Sequence, residues 1–273
     1  MLLSDALRTW IEKRGRTWTP KVTEYVRHLA KGWERVLGVV DVGAVTPRDI
    51  ERIEAVRDDG IRSGSALNSE RGYCKAFFGW AEKMGMCRHN PVTTWQFRRP
   101  EVKREYVCVT PDEEARLIAV APAWLGRYIR FGILTGLREG TIRELTWEML
   151  RDSPLRFEIP GRIMKMRSAH TFPVTPKLLE CLGAVTGHGP IFPDLPRAPL
   201  LWKAFKQAVY KAGVNPNTSP HDLRRTFVGR LSAAGVPVQT IMRLGAWKSM
   251  STLLSHYCTA VPHSTAMEAL SAI

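Results

Sequence analysis

The stretch HDLRRTFVGR, residues 221–230, sets one histidine and three arginines within ten residues, directly after Ser219-Pro220 and ahead of the apolar run 231–238. Serine is a good N-cap and proline suits the first helical position, so a helix is predicted to open near His221. On that helix His221 and Arg224, three apart, share a face. Leu223, Phe227 and Leu231 recur at four-residue steps and can face a core, while Arg225 and Arg230 point elsewhere. Two readings compete. One is an amphipathic helix with a solvated basic side. The other is a phosphate cradle in which His221, Arg224 and the helix N-terminus converge, because a guanidinium grips two phosphate oxygens at once. The rest of the chain decides between them.

With 273 residues, 44% of them hydrophobic, the chain has room for two ordinary domains with real cores. Lysine and arginine total 40 against 26 acidic residues, a net charge of +14, which points to a polyanionic partner, nucleic acid first. The excess is spread, +6 over residues 1–100 and +8 over the remainder, as suits two domains gripping one partner rather than a basic tail. No window approaches 18 consecutive apolar residues, and the opening MLLSDALRTW lacks the regions of a secretory signal, so a cytoplasmic protein is expected, without a membrane association. Cys74, Cys87, Cys108, Cys181 and Cys258 are odd in number and form no CxxC pair, which predicts reduced, mostly buried thiols and no structural zinc. His256, Cys258 and His263 lie close in sequence but lack a second ligand pair.

The fold class read from the pattern is mainly α: a four-helix N-terminal domain, then a mixed but mostly helical domain with a small β-hairpin or sheet. Helical spacing over 2–13, Thr19-Pro20 opening a helix to about Leu37, Thr46-Pro47 with Asp49, and 63–84 stopped by Gly85 give the four helices. Prolines and clustered charge then break the period, which places a linker at 96–106 between domains 1–95 and 107–273. Thr110-Pro111 with Glu113 starts a further helix, followed by 124–135 closed by Gly136 and a short helix over 139–145. RFEIPG and AHTFPVT flank the basic turn IMKMRS and read as two strands. Helical spacing returns at 176–184 and 199–212 and continues from 220 to the end.

Four segments carry chemistry: TGLREGTIREL (135–145) with Arg138 at a helix start, Lys165 in the turn between the strands, His221 with Arg224, and Leu244-Gly245-Ala246-Trp247 ten residues before Tyr257. In this order they resemble the tyrosine recombinase, or phage integrase, superfamily. That family carries an arginine in TGLR, a hairpin lysine, HxxR, LGH or GW, and a nucleophilic tyrosine, preceded by a helical DNA-binding domain and a basic linker. The likeness spans nearly the whole chain, and its weight lies in the order of the elements rather than in any one of them.

The resemblance implies a site-specific recombinase that cleaves and rejoins double-stranded DNA through a 3′-phosphotyrosyl intermediate and a Holliday junction. It implies Tyr257 as nucleophile, Arg138 and Arg224 on the non-bridging phosphate oxygens, His221 and Trp247 in support, and Lys165 as general acid for the leaving 5′ oxygen. No cofactor and no metal are implied. The partners would be DNA with inverted-repeat core sites and, on that DNA, three further copies of a chain that is monomeric in solution; the protein would associate with the nucleoid when bound. The pattern TAMEALSAI, 265–273, suits docking on a neighbour. Because the helical unit starts at residue 2, no separate arm-site module is expected. A relaxing topoisomerase or telomere resolvase using the same residues, and a catalytically silent DNA-binding regulator, are the alternatives.

The chemistry asks for such parts on its own account. Phosphodiester transfer gathers charge on equatorial oxygens, which fixed guanidinium groups stabilise. A phenol must lose its proton and an alkoxide must gain one, so a base and an acid flank the phosphate, with His221 and Lys165 the pair available. Arg162 and Arg167 compete with Lys165 for the turn role, and His170 reads as a solvent-facing strand residue. The pattern also departs from the family. Thr141 stands where an acidic residue is usual, Arg225 where histidine is common, LGAW replaces LGH, and Trp247 lies ten rather than nine residues before Tyr257.

Overall fold

Threonine-proline pairs set helix starts throughout the chain. In the computed structural model, which describes residues 1–92, 107–183 and 187–257 (the last three by backbone alone), they open α2 (Pro20–Leu37), α3 (Pro47–Arg57) and α5 (Pro111–Val120). The Thr19 hydroxyl accepts from the Val22 amide, and Asp49 and Glu113 return bonds to the amides of Thr46 and Thr110. Each such cap satisfies amides that the helix cannot and is worth about 1 kcal/mol. The expected linker at 96–106 and tail at 265–273, with Cys258 and His263, lie outside the described residues.

Two compact units emerge, Met1–Arg104 and Glu105–Ile273. In the first, α1 (Leu3–Gly15), α2, α3 and α4 (Gly64–Lys83) enclose Leu3, Leu7, Trp10, Trp33, Phe77 and Phe78. Phe77 meets Trp10 edge-on with centroids 5.5 Å apart and Phe78 at 4.9 Å, so aromatic contacts link α1 to α4 within a mostly aliphatic core. Arg57 on α3 grips the buried Glu70 on α4 through two bonds of 2.7 and 2.8 Å. Such a fork holds α3 to α4 in one register.

In the second unit, α6 (Ala123–Thr135) runs through the core between α5 and α10 (Pro220–Ala233). A three-stranded antiparallel sheet in order β1 (Leu150–Asp152), β2 (Leu155–Ile159), β3 (His170–Pro173) covers one side. Its register pairs Phe157 with Phe172 and Ile159 with His170, placing Phe157, Ile159 and Phe172 inward while Glu158 pairs outward with Arg151 and Arg156. Phe131 of α6 packs edge-on to Phe192 at 5.0 Å, joining the core from the other side. Helices α7 (Glu139–Arg143), α8 (Pro176–Leu182) and α9 (Ala198–Lys211) complete the layer.

The structure adds two details to the expected pattern. β1 was not foreseen: at three residues with two exposed it has no alternation to read, and only its pairing with β2 makes it a strand. The segment from 220 is not one helical continuum. Gly235 (φ 73°) ahead of Pro237 ends α10, and the 245–249 turn separates α11 (Val238–Leu244) from α12 (Met250–Tyr257). Of the described cysteines, Cys74 and Cys181 are buried and Cys87 and Cys108 half-buried, all as free thiols.

Candidate phosphate site

Ser219 and Asp222 fix where α10 begins: the Asp222 carboxylate, fully buried, accepts from the Ser219 amide and hydroxyl at 2.7 Å each. One turn on, Arg224 is 2% exposed, inside the protein rather than on a solvated basic face. A buried guanidinium is costly unless its donors are met. Here Nη1 donates to the Gly136 carbonyl, Nη2 donates to the Gly245 carbonyl at 2.7 Å, and the Trp247 ring lies over the group. The TGLR turn and the LGAW turn, far apart in sequence, thus meet on this one side chain.

Gly136 serves that meeting twice. It closes α6 in the left-handed region (φ 60°), and a Cβ there would sit 2.4 Å from the Phe227 ring. Its carbonyl is thereby presented to Arg224. Two residues on, half-buried Arg138 forms the N-cap of α7, and its charge is among those felt by His221. Gly245 is equally constrained, since a Cβ would fall 1.5 Å from the Trp247 ring. Ala246, at φ 53°, folds Trp247 back over it.

His221 sits in the first turn of α10 with an exposed edge. Desolvation by the protein at its base, then the charges of Arg225, Arg224 and Arg138, push its pKa down to about 4 against a weaker pull from Asp222. It is neutral at physiological pH and can accept a proton. Arg225 pairs with Asp222 at 2.5 Å and so points away from Arg224, as expected from its helical position.

Glu139, the acid nearest Thr141 in sequence, is bonded to Arg143. Thr141 is buried, and its hydroxyl donates to the Ile163 carbonyl at 3.2 Å, tying α7 to the turn between β2 and β3. From that turn Lys165, Arg162 and Arg167 are all exposed; Arg162 lines an open cleft on the sheet with Glu148, Arg151 and Glu158. Lys165 makes no ion pair among the described residues. His170 does not face solvent as expected. Its Nε2 donates to the Leu244 carbonyl at 2.9 Å, and burial, with Arg224 nearby, lowers its pKa despite that bond. Neither the Gly136 carbonyl nor His170 gave a signal in the sequence, because their partners lie 88 and 74 residues away. Tyr257 ends α12, which packs on α10; its side chain lies outside the described residues.

Arg138 and Arg224 both act electrostatically on His221 at the start of α10, while Lys165 stands exposed on the turn between β2 and β3. The fold that carries them, a helical unit followed by helices around a small antiparallel sheet, is that of the tyrosine recombinases. Residues 108–263 match the Phage integrase family, and the chain belongs to it. It is 26% identical to the integrase of Salmonella phage P22 over 172 residues, 57% of this chain but 44% of that protein. The structure resembles a lambda integrase (75–356) dimer bound to a COC′ core site, with TM-score 0.79 and 18% identity over 96% of this chain and 97% of that one. It equally resembles the Tn1549 transposon integrase in complex with a circular intermediate DNA, with TM-score 0.79 and 17% identity over the whole of both chains. A lambda integrase tetramer bound to a Holliday junction matches with TM-score 0.75 and 19% identity over 92% and 79%. Among the described residues no helix is long and apolar enough to cross a membrane.

Proposed function

We propose that the chain is a site-specific DNA recombinase, with residues 1–95 and 107–273 joined by a linker at 96–106 and closing around duplex DNA. Tyr257 attacks the scissile phosphate, the bond to the 5′ oxygen breaks, and a 3′-phosphotyrosyl link conserves its energy for rejoining. His221, held neutral, takes the phenolic proton, and Lys165 gives one to the departing 5′ oxygen. Arg138 and Arg224 hold the non-bridging oxygens, and Trp247 keeps Arg224 in place. Four copies on paired inverted-repeat sites would exchange strands through a Holliday junction, as the resemblance to lambda integrase suggests.

The observation that carries this reading is Arg224: a buried guanidinium pinned between carbonyls of two motifs, beside Arg138 and His221. Its test is a nicked duplex bearing a site that the protein itself selects from random DNA. The wild-type chain should form a covalent adduct, visible on denaturing gels and undiminished by EDTA. Tyr257→Phe should form none while binding the same DNA. An adduct of equal yield from Tyr257→Phe removes Tyr257 as nucleophile, and dependence on added magnesium overturns the metal-free chemistry.

A further inference from the structure

We infer that His170 and Lys248 are positioning residues, a clasp that fastens the Lys165 turn to the Leu244-to-Lys248 turn on which Arg224 and Trp247 are seated. The inference rests on the recombinase reading for the role of Lys165, but the clasp itself is a matter of geometry.

Between Ile159 and His170 the chain makes an excursion whose residues 165–169 are all exposed. A lysine on such a turn has a flexible stem and large rotamer freedom, so it is useful as an acid only where its backbone is held. Buried Ile163 and Met164 and the Thr141 bond to the Ile163 carbonyl anchor the near side. The far side is held by two bonds from one other turn. Lys248 Nζ donates to the carbonyl of Met166, the residue after Lys165, at 3.2 Å, and His170 Nε2 donates to the Leu244 carbonyl at 2.9 Å. A carbonyl can only accept, so the ring carries its proton on Nε2.

The partners on the other turn are equally placed. Leu244 and Lys248 bracket Gly245, whose carbonyl receives Arg224, and Trp247, whose ring covers it. Two residues after Lys248, α12 begins and leads to Tyr257. Lys248 is thus the residue nine before Tyr257, and Trp247 the residue ten before. Through the clasp, the supposed acid, the phosphate-holding arginine and the root of the nucleophile helix share one scaffold. The Lys248 bond is exposed, so it adds little to global stability, and its effect is on where the turn spends its time.

The test uses the full chain with His170→Ala, Lys248→Met and their conservative counterparts His170→Gln and Lys248→Arg. Hydrogen exchange on the DNA-free proteins should speed up in 161–169 and 244–248 for the first two, leave α6 and α10 unchanged, and return toward wild type for the second two. On the nicked selected duplex, adduct formation should slow about 10- to 100-fold in His170→Ala and Lys248→Met, with DNA affinity changed by no more than about twofold. Replacing the scissile 5′ oxygen by sulfur gives a leaving group that needs no proton, and on that substrate the variants should approach the wild-type rate. Unchanged exchange in both turns overturns the clasp whatever the activity. Faster exchange with a cleavage defect that the sulfur substrate does not relieve overturns its action through Lys165. A wild-type chain that forms no Tyr257-dependent adduct fails the recombinase reading, and the exchange data then still decide the clasp.

Discussion

The Trp247 ring covers Arg224, with the guanidinium carbon 3.5 Å from the ring centroid. This one contact does three things. It attracts the cation to the ring face, excludes water from one side of the guanidinium, and leaves the in-plane N–H donors for the Gly136 and Gly245 carbonyls. The contact exists only because residue 245 has no side chain.

Gly245→Ala therefore tests the stack without touching either partner. The methyl would overlap the indole, so Trp247 must leave Arg224. Trp247→Phe keeps a ring face and should retain most activity, whereas Gly245→Ala and Trp247→Ala should slow cleavage by on the order of 10²-fold, the scale expected when a catalytic group is displaced by about an ångström. Single-turnover adduct formation at saturating protein is the measurement; equal rates in all three variants would remove Trp247 from the site.

Arg224 and Arg225 carry the same charge on adjacent positions and should behave oppositely. Arg224→Ala should depress cleavage by roughly 10²- to 10³-fold, as for loss of one donor to a transition-state oxyanion. Arg225→Ala leaves Asp222 buried without its cation and should cost about 3 kcal/mol of stability. Its cleavage rate, taken well below its melting temperature, should change much less. Paired urea titrations and single-turnover rates check both, and similar rate losses would mean that the phosphate site is misplaced.

For Gly136→Ala the loss should be in folding. A φ of 60° costs an L-residue about 1–2 kcal/mol, and the added methyl also strikes Phe227. Pairing it with Phe227→Leu should recover the steric part and leave the backbone part. A double variant no more stable than the sum of its single changes would show that the contact is absent.

His221 should leave a signature in stability against pH. Its pKa is about 4 in the folded chain and near 6.5 when unfolded, so between these values the unfolded state binds the extra proton. Stability from this residue is complete above about pH 6.5 and is lost as the pH falls toward 4. Burial also lowers the pKa of His170, so the readout is the difference between wild type and His221→Gln. The wild-type melting temperature should fall more steeply with acid; parallel curves would show that His221 is not held neutral.

The sequence by itself determined the helix starts, because Thr19-Pro20, Thr46-Pro47-Arg48-Asp49, Thr110 with Glu113 and Ser219 with Asp222 are settled between residues three apart. It also determined the order of the chemistry-bearing residues Arg138, Lys165, His221, Arg224, Trp247 and Tyr257, and with it the family. What only the tertiary structure decided is where those side chains face. The amphipathic reading of HDLRRTFVGR left Arg224 in solvent as readily as on a phosphate. It is buried because carbonyls from residues 88 and 21 positions away accept its donors and an indole covers it. His170 alternates outward on a strand pattern but turns in to the end of α11, and β1 is a strand only by virtue of β2. Capping and periodicity are local energies, carried by neighbours in the chain. A buried charge is stable only where distant backbone dipoles are brought to it, and that is a property of packing.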